Sequence, residues 1–235
     1  MKIFPAIDMK DGKCVRLTQG DFNKVTVYND NPLEVAKMWE EKGAEYIHLV
    51  DLDGAKEGKS KNMKIIKRIL KEVKIPIQIG GGIRDEDKAN TLIDIGVSRI
   101  ILGTIAINNR ELLKNLVNKY DEKIVVSVDA KKELVAIEGW NKTSAINSIE
   151  FVSDLEGVGV KSIVYTDIAK DGMMKGPNID VYKKLNNSSN INIIASGGVS
   201  TKEDVMKLKE IGIYGCIIGK ALYDNKISFD EVIKI

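Results

Sequence analysis

Residues that support redox or metal chemistry are scarce in this sequence. Its 235 residues include two cysteines, Cys14 and Cys216, and one histidine, His48. The cysteines lie far apart and match no metal-ligand or disulfide spacing, which favours reduced thiols in a cytoplasmic protein. His48 lies in the middle of a predicted strand, where we expect a satisfied buried side chain rather than a catalyst. We therefore expect neither a bound metal nor a redox cofactor.

An excess of charge of one sign is also missing. Lys and Arg number 36 against 34 Asp and Glu, and the two signs are interspersed along the chain. A basic face for nucleic acid or anionic lipid is therefore not expected, and any anion must be recognised locally. The first residues, "MKIFPAIDMKDGK", reach Asp8 without a long apolar run, so we expect no signal peptide and no membrane anchor.

The pattern that is present alternates short and long apolar segments. Hydrophobic residues make up 43% of the chain and charged residues 30%, which is the composition of an ordinary globular protein. Short β-branched runs alternate with longer amphipathic stretches, as in βα units that form a parallel sheet. The predicted strands are residues 3–7, 46–50, 75–79, 99–102, 124–128, 162–166, 191–195 and 215–218.

A repeated motif decides between architectures. "IQIGGGIRDED" at 77–87 returns as "IIASGGVSTKE" at 193–203, an offset of 116 residues that separates Gly82 from Gly198. Two further blocks share this offset, which makes a chance match hard to defend. They pair "IILGTIA" with "CIIGKAL", and "VDLDGAKEGKSKN" with "TDIAKDGMMKGPN", so that Gly103 matches Gly219, Asp51 matches Asp167 and Asn62 matches Asn178.

Two halves of four βα units each are therefore predicted, at about residues 1–120 and 121–235. Eight parallel units close naturally into a (β/α)₈ barrel, and we expect one such domain over residues 1–235. The alternative is an open doubly wound sheet. That fold would place a glycine-rich dinucleotide fingerprint after the first strand, and none follows it here.

The glycine-rich segments follow predicted strands 3, 4, 7 and 8. In barrels, the loops after strands 7 and 8 often bind phosphate through backbone N–H groups and a helix N-terminus. Because "GGGIR" and "LGTIA" repeat "SGGVS" and "IIGKAL", a second phosphate site is expected across the mouth. A single Gly-Gly is equally typical of a tight strand-to-helix turn. The duplication favours a substrate with a phosphate at each end.

Two carboxylates supply candidate chemistry. Asp8 ends the first predicted strand and Asp129 the fifth, so they are expected on opposite sides of the mouth. Such a pair can act as general acid and general base if the surroundings separate their pKa values. Alternatively, each carboxylate caps a helix or pairs with Lys10 or Lys131. Which one is the acid stays open at this level.

Other polar groups are predicted around the same mouth. Asp51, Thr166 and Asp171 follow strand ends. Arg16 is assigned to a long loop after the first strand, a common place for an element that closes over substrate. Trp140 is assigned to the loop after the fifth strand, where its ring can stack on a planar group or plug the core.

The sequence resembles a known family over residues 3 to about 223. The matching segments are "PAIDMKDGKCVRLTQGDF", "HLVDLDGA", "GGGIR", "ILGT", "VSVDAK", "GW", "YTDIAKDGMMKGPN", "ASGGVS" and "IIGKALY". Together they resemble the isomerases of histidine biosynthesis that act on phosphoribosylformimino-5-aminoimidazole carboxamide ribotide, abbreviated ProFAR. The sister cyclase subunit of imidazole glycerol phosphate synthase usually opens "ACLDV" with a lysine-containing first strand, so "PAIDM" with "VRLTQGD" favours the isomerase.

This resemblance implies an Amadori rearrangement of an aminoaldose to an aminoketose, with no cofactor. Asp129 would be the general acid that protonates the ribose ring oxygen, and Asp8 the general base that removes the C2 proton. Thr166 and Asp171 would contact the substrate, while Arg16 and Trp140 would lie in loops that close over it. The implied phosphate contacts are Gly81, Gly103, Thr104, Gly197, Gly198 and Gly219.

Three residues qualify these expectations. The repeat adds Gly82 to the phosphate contacts, because it pairs with Gly198. Gly80 pairs with Ser196, so we expect a turn residue there. Lys220 departs from many relatives and either strengthens a phosphate contact or points away. A monomer that binds a small bisphosphorylated molecule is expected.

Three other functions are kept as alternatives. One is the cyclase, which needs ammonia or a glutaminase partner. Another is a bifunctional isomerase that also accepts phosphoribosyl anthranilate, a substrate with one phosphate fewer. The third is a phosphosugar-binding barrel without catalytic activity.

Overall fold

Eight parallel strands close into a barrel in the computed structural model, which describes residues 1–18, 20–58, 60–137, 139–140 and 142–235. The barrel strands are β1 (Lys2–Lys10), β4 (Ile47–Asp51), β5 (Ile77–Gly80), β6 (Arg99–Leu102), β7 (Ile124–Lys131), β10 (Ser162–Asp167), β11 (Asn192–Ser196) and β12 (Gly215–Ile218). They pair in this order, and the β12–β1 pairing closes the ring. The predicted (β/α)₈ barrel is confirmed, and each predicted strand lies on a barrel strand.

Helices link the barrel strands and cover their outer face. They are α1 (Pro32–Glu41), α2 (Leu52–Glu57), α3 (Met63–Glu72), α4 (Glu86–Asp94), α5 (Ile105–Asn108), α6 (Arg110–Tyr120), α7 (Ser148–Val158), α8 (Ile179–Ser188), α9 (Lys202–Glu210), α10 (Lys220–Tyr223) and α11 (Phe229–Val232). Local sequence sets several starts. Asn31 caps α1 ahead of Pro32, and Thr201 forms a capping box with Asp204 at α9.

Two antiparallel extensions rise from the barrel at opposite sides of its mouth. Strands β2 (Lys13–Thr18) and β3 (Asp21–Asn29) extend β1, while β8 (Leu134–Ile137) and β9 (Lys142–Asn147) extend β7. The assignment of Arg16 to a loop is therefore wrong, because Arg16 lies within β2. Ladder hydrogen bonds to β1 and β3 hold this segment more firmly than a loop would be held.

Two apolar layers form the core. A large cluster fills the space between barrel and helices, whereas a smaller one fills the barrel interior. The interior cluster consists of Phe4, Ala6, Ile101, Val125, Val164, Ile194 and Ile217. Because side chains alternate along a strand, residues two positions further toward the mouth face the same interior. The site is therefore built directly on top of this apolar floor.

The paired asparagines and aspartates of the repeat make the same contact in both halves. Nδ2 of Asn62 donates to Asp51 at 2.7 Å, and Nδ2 of Asn178 donates to Asp167 at 2.8 Å. Each aspartate ends a barrel strand and each asparagine precedes a helix. The contact therefore ties the loop that follows β4, and the loop that follows β10, back to its own strand.

Cys14 and Cys216 are both buried, and neither is in a disulfide. Within the described part of the chain, no helix is long and apolar enough to cross a membrane. In the same part, no group of three His, Cys, Asp or Glu side chains is arranged to hold a metal ion.

Candidate functional site

The two predicted catalytic carboxylates face into the barrel from opposite sides. Asp8 shares the inner face of β1 with Phe4 and Ala6, and Asp129 shares the inner face of β7 with Val125. Strands β1 and β7 are four positions apart in the ring. A molecule bound in the mouth therefore meets one carboxylate on each side.

Asp8 forms a largely buried ion pair with Arg16. Nη1 of Arg16 lies 2.8 Å from Oδ2 of Asp8, with the two side chains 12% and 13% exposed. Burial raises the pKa of Asp8 to about 6; Arg16 opposes this shift, and Asp171 adds to it. A carboxyl group with a pKa close to neutral is ionised when it must accept a proton and releases that proton readily.

Asp129 is held by two hydrogen bonds. Oγ of Ser127 donates to its Oδ1 at 2.9 Å, and the indole Nε1 of Trp140 donates to its Oδ2 at 2.9 Å. Ser127 stands two residues earlier on the same face of β7, whereas Trp140 lies in the connection between β8 and β9. Both carboxylate oxygens are thus oriented by fixed donors, one of which belongs to the extension above the mouth.

The two extensions meet over the mouth. A Cβ placed on Gly20, between β2 and β3, would lie 2.5 Å from Cε3 of Trp140. Gly20 has φ of +71°, so both its backbone and its missing side chain suit this contact. Trp140 also has a positive φ, of 71°. The indole ring is therefore packed against the first extension rather than buried in the main core.

Thr166 and Asp171 lie between the two carboxylates. Thr166 is the neighbour of Asp129 in the β7–β10 register and is 5% exposed. Burial raises the pKa of Asp171, Arg16 opposes the shift, and the charge on Asp129 adds to it. Asp171 therefore interacts electrostatically with groups on both sides of the mouth, which links the two halves of the site.

Asp51 is buried within a hydrogen-bond network. It is 2% exposed, and its Oδ1 accepts from the backbone N of Gly54 at 3.0 Å and from Asn62 at 2.7 Å. Asn62 also donates to Asp53 at 2.8 Å. The observed task of Asp51 is to cap α2 and fix the loop after β4; a direct contact with substrate stays a prediction.

The second-half glycines surround a small pocket next to Arg16 and Asp171. The guanidinium packs on Gly219, since a Cβ there would lie 2.4 Å from its Cζ. Nε of Arg16 is buried without a partner among the described residues. An anion would meet a positive charge here. The pocket contains six of the predicted site residues: Arg16, Asp171, Gly197, Gly198, Gly219 and Lys220.

Lys220 is engaged with a neighbouring carboxylate. Its Nζ contacts Oδ2 of Asp224, and Oδ1 of Asp224 accepts from the hydroxyl of Tyr28 at 2.7 Å. Tyr28 belongs to β3, so this chain of contacts joins the first extension to α10. The prediction that Lys220 binds phosphate stays open, and the charge is already partly balanced by Asp224.

The first-half glycines have a clear structural task. Gly81 and Gly82 have φ of +110° and +69°, and a Cβ on them would lie 2.2 Å from the Asp51 carbonyl oxygen and 2.0 Å from that of Gly54. Tight strand-to-helix geometry alone therefore demands glycine at both positions. Gly103 differs, because a Cβ there has no atom within 4 Å. Thr104 stands next to it at the start of α5.

Two polar residues of the barrel interior were missed from the sequence. Ser127 orients Asp129, and Gln78 contacts the imidazole of His48, with 3.0 Å between Gln78 Nε2 and His48 Nδ1. The period of two along a strand was the available signal, since Ser127 precedes Asp129 by two positions. Gln78 stands within an apolar run, and only the barrel register brings it beside His48.

Comparisons with known proteins agree on one family. The sequence profile described as "Histidine biosynthesis protein" matches residues 2–228. A protein of Clostridioides difficile (strain 630) is 58% identical over 231 residues, which cover 98% of this chain and 96% of that protein. One from Clostridium botulinum (strain Langeland) is 53% identical over 235 residues, with coverage of 100% and 97%. One from Oceanobacillus iheyensis is 52% identical over 234 residues, with coverage of 100% and 98%.

All three relatives carry one curated name. Each is called 1-(5-phosphoribosyl)-5-((5-phosphoribosylamino)methylideneamino) imidazole-4-carboxamide isomerase. The chain covers nearly the whole length of each relative, so the similarity extends over the barrel and both extensions rather than over one motif.

Proposed function

The chain belongs to the histidine biosynthesis protein family, and on that premise we propose that it is a ProFAR isomerase, an enzyme that converts an aminoaldose to an aminoketose. The observation that carries the proposal is the placement of Asp8 and Asp129 on opposite inner faces of one barrel mouth. Two carboxylates that face one bound sugar derivative supply the acid and the base that an Amadori rearrangement needs.

Asp129 acts first as the general acid. It delivers a proton to the ribose ring oxygen, the C1–O bond breaks, and the nitrogen lone pair forms a Schiff base at C1. Ser127 and Trp140 hold the carboxyl group toward the mouth. When the ribose ring oxygen binds next to Asp129, the hydrogen bond from Trp140 to Oδ2 of Asp129 must break, or the carboxyl group must interact with both groups. The indole ring is then available to stack on the planar part of the substrate.

Asp8 acts next as the general base. It removes the proton from C2, and the electron pair moves to give an enolamine. C1 then takes up a proton while the hydroxyl on C2 loses one, and this tautomerisation gives the ketose. C2 is oxidised while C1 is reduced, so the reaction balances without an external oxidant or reductant. The raised pKa of Asp8, about 6, suits a group that takes up a proton near neutral pH and passes it on.

The phosphates are held at the glycine-rich loops of the two halves. Gly197, Gly198 and Gly219 line the pocket beside Arg16 and Asp171, which supports one phosphate-binding site there. Gly81, Gly82, Gly103 and Thr104 supply the other, through the backbone N–H groups of the loops after β5 and β6. Thr166 and Asp171 contact the sugar between them. Arg16 and Trp140 close over the substrate from the two extensions.

The wider biological setting is part of the same proposal. The chain works as a monomer in the cytoplasm, as one barrel domain whose halves meet near residue 120. Its partner is the small bisphosphorylated substrate. Two buried cysteines outside any disulfide and the lack of a membrane-crossing helix among the described residues support this setting.

Purified protein incubated with ProFAR tests the proposal. The ketose should form without ammonia, metal or cofactor. Because ProFAR and the ketose have the same mass, they are distinguished by their chromatographic retention times. Folded protein that produces no ketose would exclude the isomerase. Turnover that occurs only when ammonia is added to the ketose would identify the cyclase.

A second substrate tests whether the enzyme is specific for ProFAR. Phosphoribosyl anthranilate carries one phosphate, so an enzyme with two phosphate-binding sites is expected to turn it over far more slowly than ProFAR. Comparable kcat/KM values for the two compounds would instead identify a bifunctional isomerase.

A further inference from the structure

A polar pair interrupts the apolar floor of the barrel below the mouth. His48 on β4 and Gln78 on β5 are neighbours in register, and Nε2 of Gln78 donates to Nδ1 of His48 at 3.0 Å. Gln78 is 0% exposed, whereas His48 keeps partial exposure. Polar side chains in such a layer cost free energy unless all their hydrogen bonds are made.

The hydrogen bonding of this pair is incomplete. Oε1 of Gln78 is buried and has no partner among the described residues. A buried oxygen without a partner is destabilising, because it has lost its hydrogen bonds to water. The fold does not need this cost, because the positions 116 residues later hold Val164 and Ile194, which pack in the apolar interior. A polar pair retained in one half only therefore indicates a functional task.

The surroundings of His48 select one protonation state and one tautomer of its imidazole. Burial lowers the pKa of His48 to about 3, and the positive charge of Arg16 acts in the same direction. The ring is thus neutral near pH 7. Because Nδ1 accepts from Gln78, the single proton of the ring lies on Nε2, which becomes a donor.

The position of the pair relates it to Asp8. His48 is the register neighbour of Ala6, and Asp8 stands two residues further toward the mouth on the same face of β1. The charge of Arg16 acts on the imidazole, and Arg99 is the register neighbour of Gln78 on β6. The donor at Nε2 therefore lies on the floor of the site on the side of the general base.

We propose that Gln78 is a positioning residue that fixes His48 as a neutral Nε2–H donor, and that this donor binds a hydroxyl oxygen of the ribosyl group from which Asp8 removes a proton. The identity of that group rests on the proposed function. Since the second half has Val164 and Ile194 instead, the pair also distinguishes the two phosphoribosyl ends of the substrate, and so sets the direction in which it binds.

The imidazole state can be measured without any substrate. His48 is the only histidine in the chain, so ¹⁵N-histidine labelling gives one ring and needs no assignment. Long-range ¹H–¹⁵N spectra at pH 7 should show a neutral ring protonated at Nε2. Gln78→Glu should move the proton to Nδ1 or give an imidazolium, because a carboxylate accepts a proton rather than donating one. A wild-type ring that is charged, or protonated at Nδ1, would overturn the proposal.

Kinetics test the second part of the proposal. Gln78→Leu should lower kcat/KM for ProFAR by about tenfold, the equivalent of about 1.4 kcal/mol, without lowering the free energy of unfolding. In a His48→Leu background, the same change should have no further effect, since both residues act through one donor. Gln78→Met, also without an amide, should match Gln78→Leu.

Two kinetic outcomes contradict the proposal. Wild-type turnover with a Gln78→Leu kcat/KM within about twofold of wild type would show that the amide positions nothing. Independent, additive effects of His48→Leu and Gln78→Leu would show that they do not act as a unit. If wild type fails to turn over ProFAR, the proposed function fails, while the ¹⁵N spectra still decide whether Gln78 sets the imidazole state.

Discussion

Nη1 of Arg16 lies 2.8 Å from Oδ2 of Asp8, so a strand of the first extension reaches the inner face of β1 and pairs with the carboxylate proposed as the general base. The same guanidinium packs on Gly219, in the loop after β12 that is proposed to bind a phosphate. One side chain thus contacts both the group proposed to move a proton and the loop proposed to hold a phosphate. Phosphate binding and the charge state of Asp8 are expected to be coupled through Arg16.

The pH dependence of activity should report Asp8. A base must be ionised, and burial raises the pKa of Asp8 from an ordinary value of 3.8 to about 6. We expect kcat/KM for ProFAR to rise with pH on an acidic limb whose midpoint lies near pH 6, whereas a fall at higher pH would report loss of the proton from the general acid. Initial rates between about pH 4.5 and 8 provide the measurement. A profile that is flat through pH 6 would remove Asp8 from the role of base.

Stability should change in the opposite direction with pH. Because the pKa of Asp8 is higher in the folded chain than in the unfolded chain, the folded state holds this proton more tightly. Its contribution to stability is complete below about pH 3.8 and is lost as pH rises through about 6. A rise in activity over this range therefore cannot come from this group stabilising the fold.

Replacement of Arg16 should move the acidic limb of that profile. Its positive charge lowers the pKa of Asp8, so Arg16→Gln should shift the midpoint to above pH 6. Arg16→Lys keeps the charge and is the matched control, with a midpoint close to that of wild type. Both variants should have lower kcat/KM, since the planar guanidinium is lost from the pocket in which we propose that a phosphate binds. An unchanged midpoint in Arg16→Gln would contradict the coupling.

The contact between Gly20 and Trp140 should determine how closely the two extensions approach each other over the bound substrate. Gly20→Ala places a Cβ 2.5 Å from the indole ring at φ of +71°, which forces the extensions apart. KM for ProFAR should rise several-fold. Gly43→Ala is the control, because Gly43 has φ of +85° and nothing within 4 Å of a Cβ. Each change should cost about 1–2 kcal/mol of backbone strain in urea unfolding. Equal KM values in the two variants would show that this contact does not matter for binding.

Two glycines of the phosphate site proposed for the first half, Gly82 after β5 and Gly103 after β6, should respond differently to alanine. Gly82→Ala puts a Cβ 2.0 Å from the Gly54 carbonyl oxygen, and we expect a loss of more than about 2 kcal/mol in the free energy of unfolding. Gly103→Ala meets no atom within 4 Å, so it should unfold like wild type. Its methyl group should nevertheless raise KM by crowding the phosphate. Unaltered KM in Gly103→Ala would place the phosphate elsewhere.

The architecture was readable from the sequence because its signals are local and repeated. Each barrel strand is a short β-branched run bounded by turn residues, and the 116-residue offset fixed how many units to expect. Both antiparallel extensions were missed. Residues 13–18 lie between Gly12 and Gly20 but mix polar with apolar side chains, and their strand character comes from pairing with β1 and β3. The half-barrel boundary near residue 120 stays a prediction.

The candidate site was readable in part. Asp8, Asp129 and Thr166 follow from strand ends, which the barrel brings to one face. The roles of Gly81 and Gly82 did not follow, because the carbonyl groups that crowd them belong to the loop after β4. The same limit applies to Asp51, since its partner Asn62 is defined by folding of that loop. Contacts of this kind depend on three-dimensional proximity that no single segment encodes.

Single-turnover conversion of ProFAR by Asp8→Asn and Asp129→Asn tests the central claim most directly. Asparagine keeps the size of each side chain and cannot transfer the proton. Each variant should fold, bind ProFAR and form the ketose at least about 10²-fold more slowly than wild type, as general acid–base catalysis would require. If either variant, confirmed as folded, forms the ketose at the wild-type rate, two-carboxylate isomerisation at this barrel mouth is contradicted.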